Sequence, residues 1–454
     1  PIPQSDIVPS LSIPGVEIRR ARPFSNTLKA AVAKKSSGSH AKLRRLPKSH
    51  SHRQPSGAAF FAEHRQSDAG TGATTPTGNV SVVDHSATQY SVEVILNGSP
   101  FNLIMNTAGS DTWVRSRNFT CLNNATGSAP RSQCDWGKSG ATGFPKGPIQ
   151  NQHFAIKNAD GSGVSGQLGY MNVSLANVAV PNQEVAIATQ GIWHGDNVTS
   201  GMLGMAYPSL TSAYSGDDMN DTSDESALEY SPLFTTMITD GLVPPLWCLA
   251  ISRNSSDGIF CLGDNKPSNL TRDYFAKADL LIAKLSDKKA AAYQPSYYAT
   301  VFDGFRIGTT DIRESYPMIL DSSTTLAYLP PGEHIAPKNK DTYLLLTHYT
   351  DVAETVNSHF QPPATYLWYY GSYFVPCDAT PPYFAVMLQD SPFVVNPKDM
   401  INQDVVDPWT KMCQTGITMG TDGLYILGLT FLTNVAVGFD IGNANIYVYP
   451  RAYY

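Results

Sequence analysis

The stretch Leu103-Ile-Met-Asn-Thr-Ala-Gly-Ser-Asp-Thr-Trp113 decides how this chain of 454 residues is read. An apolar run stops at Asn106, a hydroxyl residue follows, and two small residues turn the chain before it becomes apolar again at Trp113. The same order returns at Met318-Ile-Leu-Asp-Ser-Ser-Thr-Thr-Leu326, with Asp321 where the first copy has Asn106. About a hundred residues after each copy comes an apolar-apolar-Gly triplet, Met202-Leu203-Gly204 and Ile426-Leu427-Gly428, and a pattern written twice in this way marks a duplicated lobe. Asn106 and Asp321 then occupy equivalent points of two halves.

The surrounding sequence reads as mainly β. Short alternating or apolar runs such as Tyr90–Leu96, Asn172–Leu175, Leu246–Ile251 and Ala444–Tyr449 are punctuated by Gly, Asn and Pro, and helical periodicity is scarce. A chain of this length has room for two or three domains. The expected division is a basic N-terminal segment over 1–76, a first β lobe over 77–255 and a second over 256–454. Residues 1–70 carry 12 Lys and Arg against 4 Asp and Glu, a net charge of +8 that leaves −14 on the other 384 residues. That asymmetry suggests a basic arm lying on an acidic body.

Cysteines and glycosylation motifs point to an oxidising, extracellular setting. Cys121 and Cys134 bracket a loop after the first turn, and Cys248 and Cys261 flank a predicted hairpin; Cys377 and Cys413 form the third local couple. No Cys-x-x-Cys or His-x-x-x-His spacing suggests zinc, and no cofactor is expected. Asn-x-Ser/Thr sites stand at Asn79, Asn97, Asn118, Asn124, Asn172, Asn197, Asn220, Asn254 and Asn269. No apolar run approaches the roughly 18 residues of a membrane span. The expectation is a secreted monomer whose signal peptide has been removed, with no nucleic-acid partner.

With the turns go further stretches that together resemble the pepsin-like aspartic proteases, fungal members in particular. Gln89–Leu96 is similar to the opening strands of the family's first lobe. Phe154-Ala-Ile-Lys-Asn-Ala-Asp-Gly-Ser-Gly163 resembles the flap hairpin, with Asn158, Asp160 and Gly161 at or near its tip. Gly201-Met-Leu-Gly-Met-Ala-Tyr-Pro-Ser209 resembles the stretch packed beneath the first active turn, Ser231-Pro-Leu-Phe234 a short helix start, and Phe439-Asp440 the penultimate strand. The resemblance implies a bilobal fold with one cleft and a disulfide between Cys377 and Cys413. It also implies an inhibitory prosegment, one of whose lysines (Lys34, Lys35, Lys42 or Lys48) reaches into the cleft. The partner it implies is a polypeptide substrate.

In that family each turn supplies an Asp, and two carboxyls held together share one proton, so that one acts as acid and the other as base on a water. An amide neither gains nor loses a proton at any working pH, so Asn106 cannot complete the pair with Asp321. Other departures accompany it: Ala108 and Gly109 replace the first turn's Gly and Ser, Ser323 replaces the second turn's Gly, Leu429 replaces an Asp, and Asn158 replaces the flap Tyr. Thr107, Ser322 and Thr324 keep their hydroxyls, so the frame of the site is expected to survive. The chain therefore reads as the proform of an acid-acting aspartic endopeptidase that is inactive as written. The alternatives are a natural pseudoprotease that holds peptides or glycans, and a wall protein on the same fold. Asn106 is either natural or a deliberate exchange.

Three other motifs are set aside. Gly161-Ser-Gly-Val-Ser-Gly166 matches a dinucleotide pattern but lacks the preceding strand and following helix. His50-Ser-His52 reads as solvated surface, and the resemblance points Asp111 away from the cleft.

Overall fold

In a computed structural model, the structure describes residues 7–13, 16–20, 77–82, 89–123, 127–158, 161–251, 258–264, 266, 275–285, 295–331, 351–420 and 425–451. Lys34, Lys35, Lys42, Lys48, His50, His52, Asn124, Asp160, Asn254 and Asn269 lie outside them.

Each half is built around the same three strands. In the first, Ser99–Asn106 runs parallel to Gly201–Gly204, with Leu203 opposite Met105 and Gly204 opposite Asn106; Gly201–Gly204 in turn pairs antiparallel with Trp113–Cys121. In the second, Tyr316–Leu320 runs parallel to Ile426–Leu427, which pairs antiparallel with Ala327–Leu329. A strand pinned between two neighbours with both faces covered must be apolar throughout, and Tyr316–Leu320 is buried at all five positions. The glycine closing each triplet has a steric reason. A Cβ on Gly204 would lie 2.3 Å from the Ser110 carbonyl carbon, and one on Gly428 would lie 2.3 Å from both the Thr324 and Leu326 carbonyl oxygens. Only glycine lets those strands pass so close beneath the two turns.

One sheet, fifteen-stranded among the described residues, joins the halves. It runs from the first half through Thr77–Val82, Gly258–Leu262 and Leu246–Ala250 to Val435–Asp440 and Asn445–Pro450 near the chain's end. Trp247 stacks on Phe439 with ring centroids 4.3 Å apart, and Tyr298 packs 4.5 Å from Phe439. The Tyr298 hydroxyl accepts from Trp247 Nε1 at 3.2 Å and donates to the Met205 carbonyl at 2.6 Å. Tyr298 thus ties the second half to the residue that follows Gly204. The fold is the mainly β, bilobal architecture expected.

Disulfides join Cys121 to Cys134, Cys248 to Cys261 and Cys377 to Cys413. Cys248 faces Cys261 across the antiparallel pair, as a hairpin requires. From the N-terminal segment, strands Ile7–Ile13 and Val16–Arg20 pair with each other, and Val16–Arg20 pairs with Leu281–Leu285 of the second half. Asn97, Asn118, Asn172, Asn197 and Asn220 are exposed, and Asn79 lies within Thr77–Val82. Among the described residues no helix is long and apolar enough to cross a membrane.

Candidate active site

The two turns meet through reciprocal bonds from side chain to backbone. Thr107 Oγ1 donates to the Leu320 carbonyl at 2.7 Å and accepts from the Ser322 amide at 2.9 Å, while Ser322 Oγ donates to the Met105 carbonyl at 2.6 Å. Thr107 and Ser322 are fully buried, so these bonds exchange no partner with water. Each turn is held by the strand that leads into the other. The triplets brace both from below: the Met205 amide donates to the Asn106 carbonyl at 2.9 Å, and the Asp321 amide donates to the Leu427 carbonyl at 3.2 Å.

On this frame the side chains of Asn106 and Asp321 converge on one hydroxyl. Ser323 Oγ lies 2.8 Å from Asp321 Oδ1 and 3.2 Å from Asn106 Oδ1. Asp321 Oδ1 also accepts from the Ser323 amide at 2.8 Å, and Oδ2 accepts from Thr324 Oγ1 at 2.5 Å. Asn106 Oδ1 accepts from the Ala108 amide at 2.8 Å, which fixes which end of the amide faces inward. The other end, Nδ2, points at the Met202 sulfur 3.7 Å away. A side chain on residue 109 would press on that amide, since a Cβ there would lie 2.7 Å from Nδ2. Only Asp321 can ionise among these groups, and it carries three hydrogen bonds.

The remaining candidates lie elsewhere. Asn158 closes the turn between Gln152–Lys157 and Gly163–Leu175, its Nδ2 donating to Ser162 Oγ at 3.0 Å, and Gly161 takes a positive φ of 84° in the same turn. Residues from Gly163 onward form a strand, which disposes of the dinucleotide motif. Leu429 is buried at the head of the short helix Leu429–Leu432. Asp111 accepts from the Ser212 amide at 3.0 and 3.2 Å and from the Tyr230 hydroxyl at 2.8 Å. Burial pushes its carboxyl up to about 6. Glu184 is pushed up to about 7 by burial, with the charge of Asp111 adding to it. The bridging place of Ser323, the Met202 contact and the Tyr298 tie leave no mark in the sequence; the replacement at 323 is visible there, but not where its hydroxyl points.

Comparison with known proteins agrees with this geometry. The sequence profile of the eukaryotic aspartyl proteases matches residues 89–449. A probable aspartic-type endopeptidase of Aspergillus fumigatus is 33% identical over 369 residues, covering 79% of this chain and 77% of that protein. Rhizopuspepsin of Rhizopus chinensis is 22% identical over 83% of this chain and 82% of its own length. The crystal structure of an aspartic proteinase from Irpex lacteus superposes with a TM-score of 0.56 at 13% identity, covering 84% of this chain and 98% of that one.

Proposed function

Since the chain belongs to the eukaryotic aspartyl protease family, we propose that it is an aspartic endopeptidase in frame and ancestry whose site does not hydrolyse peptides as it stands. One observation carries this reading: position 106, across from Asp321, is an amide whose Oδ1 is occupied by Ala108 and Ser323. Peptide hydrolysis at such a site needs one group that takes a proton from water and another that holds one ready for the leaving amine. Asp321 can fill one role and Asn106 neither. Loss of one such group removes on the order of 10²–10⁴-fold of rate. Thr107, Ser322 and Thr324 act here as positioning residues, holding the two turns in the frame that a pair of carboxyls would need. The proposed setting is extracellular, with glycans on the asparagines named above and the basic segment 1–76 acting as a prosegment over lobes 77–255 and 256–454.

A second reading has an observation of its own. The neighbours of Asn106 suit an amide: the Met202 sulfur faces Nδ2, and residue 109 has no Cβ to crowd it. This mutual fit favours a natural pseudoprotease that uses its cleft to hold a peptide.

The test is incubation of the purified chain with an unfolded protein substrate between pH about 3 and about 6, the range in which one carboxyl of an intact pair would be protonated. No products above a blank are expected. Cleavage that disappears in Asp321→Asn would overturn the proposal.

A further inference from the structure

Of the departures in the sequence, Asn106 is the one that removes a proton-transferring group. The structure gives the departure at 323 a part of its own. We infer that Ser323 is a second, independent block: its hydroxyl occupies the place between the two turns where a hydrolysing pair has to hold the attacking water. The inference rests on the reading above.

Space and hydrogen-bond capacity both keep a water out. A water bridging Asn106 Oδ1 and Asp321 Oδ1 must lie within roughly 2.7–3.2 Å of both. Ser323 Oγ already meets that condition, at 3.2 and 2.8 Å. Two oxygens cannot approach closer than about 2.5 Å, so the hydroxyl and a water cannot share the position. Capacity is also spent. Asp321 Oδ1, the nearer and charged acceptor, takes two donors from residue 323, its amide and its hydroxyl, while Asn106 Oδ1 takes the Ala108 amide and has the Ser323 oxygen against it at 3.2 Å. A carbonyl or carboxylate oxygen has two lone pairs to offer. The hydroxyl is no substitute for the water it displaces: it brings one proton for two acceptors, and its oxygen is bonded to Cβ and cannot leave with a product. Glycine at 323 would keep the amide bond to Asp321 and vacate the position.

The prediction separates the two blocks. In a cycle of the parent, Asn106→Asp, Ser323→Gly and the double variant, hydrolysis of a peptide at acidic pH should be absent in the parent and in Ser323→Gly. The double variant should exceed Asn106→Asp by about 100-fold, the scale of a whole catalytic contribution. A binding measurement makes the test independent of turnover. Two peptides are compared, one with its scissile amide replaced by a secondary alcohol and one with the matching methylene, because the alcohol mimics the tetrahedral centre and seeks the water's place. The parent should show no preference for the alcohol, and Ser323→Gly and Ser323→Ala should each gain about tenfold preference. Ser323→Ala keeps the Cβ and so guards against an effect of backbone freedom.

Three outcomes would overturn one idea or the other. If Asn106→Asp alone matches the double variant, Ser323 is no block, and the reading of Asn106 stands. If neither variant at 323 changes the alcohol preference, the inference fails whatever the rates. If the parent itself hydrolyses through Asp321, the reading of Asn106 fails first.

Discussion

At the scale of single residues, the fold contains acids whose work is not catalysis. Asp111 and Glu184 are buried carboxyls raised from 3.8 to about 6 and from 4.5 to about 7, first by desolvation. A carboxyl whose pKa is higher folded than unfolded binds more protons in the native state across that interval, so its contribution to stability falls as pH rises through it. Stability, and with it the melting temperature, should therefore decline from pH about 4 to about 7, by at most about 6 kcal/mol for the pair. Asp311 has the opposite sign, since hydrogen bonding by Arg306 holds it at about 2, but its effect is confined to more acidic solution. Glu184→Gln should flatten the decline, and a thermal melt series in matched buffers reads it directly. An unchanged slope would mean that the two carboxyls do not meet in the way their burial implies. Nothing in the sequence announces this cluster, because Tyr230 reaches Asp111 across 119 positions.

Elements tell a different story, because the repeated unit was open to reading and its reason is steric. Leu103–Trp113 and Met318–Leu326 could be matched by eye, since a strand covered on both faces has to be written in apolar residues and a strand passing beneath a turn has to end in glycine. The Cys248–Cys261 hairpin was legible for the same kind of reason, its turn residues standing midway between the cysteines. By contrast, the pairing of Val16–Arg20 with Leu281–Leu285 joins segments that no local pattern connects, and a basic composition hid two strands. Where the hydroxyl of Ser323 points was hidden too, since only the closed pair of turns defines the space it fills. In Gly428→Ala the added carbon would meet two backbone oxygens at 2.3 Å. Backbone cannot swing aside as a side chain can, so a loss of roughly 2–3 kcal/mol is expected in urea unfolding. A variant as stable as the parent would show that the strand has room to shift.

For the whole molecule, the joint between halves is aromatic and hydrogen-bonded, and it ends next to the site. Tyr298→Phe keeps the stacking on Phe439 but leaves Trp247 Nε1 and the Met205 carbonyl without their shared hydroxyl. Stranding two buried polar groups should cost about 1–3 kcal/mol in denaturant unfolding. An effect near zero would mean that other groups take over both bonds. Thr107 and Ser322 belong to this larger scale as well, because what they grip is the other half's backbone. Their duty differs from that of position 106. A chain that lost either hydroxyl would strand buried peptide groups and lose hold of its own fold, whereas exchanging a carboxylate for an amide at 106 leaves the backbone network untouched. Selection for a foldable protein and selection for a cutting one therefore act on neighbouring letters of the same turn, and the first persists when the second is lifted. A change at position 106 can take away a reaction and still leave the grip between the halves intact.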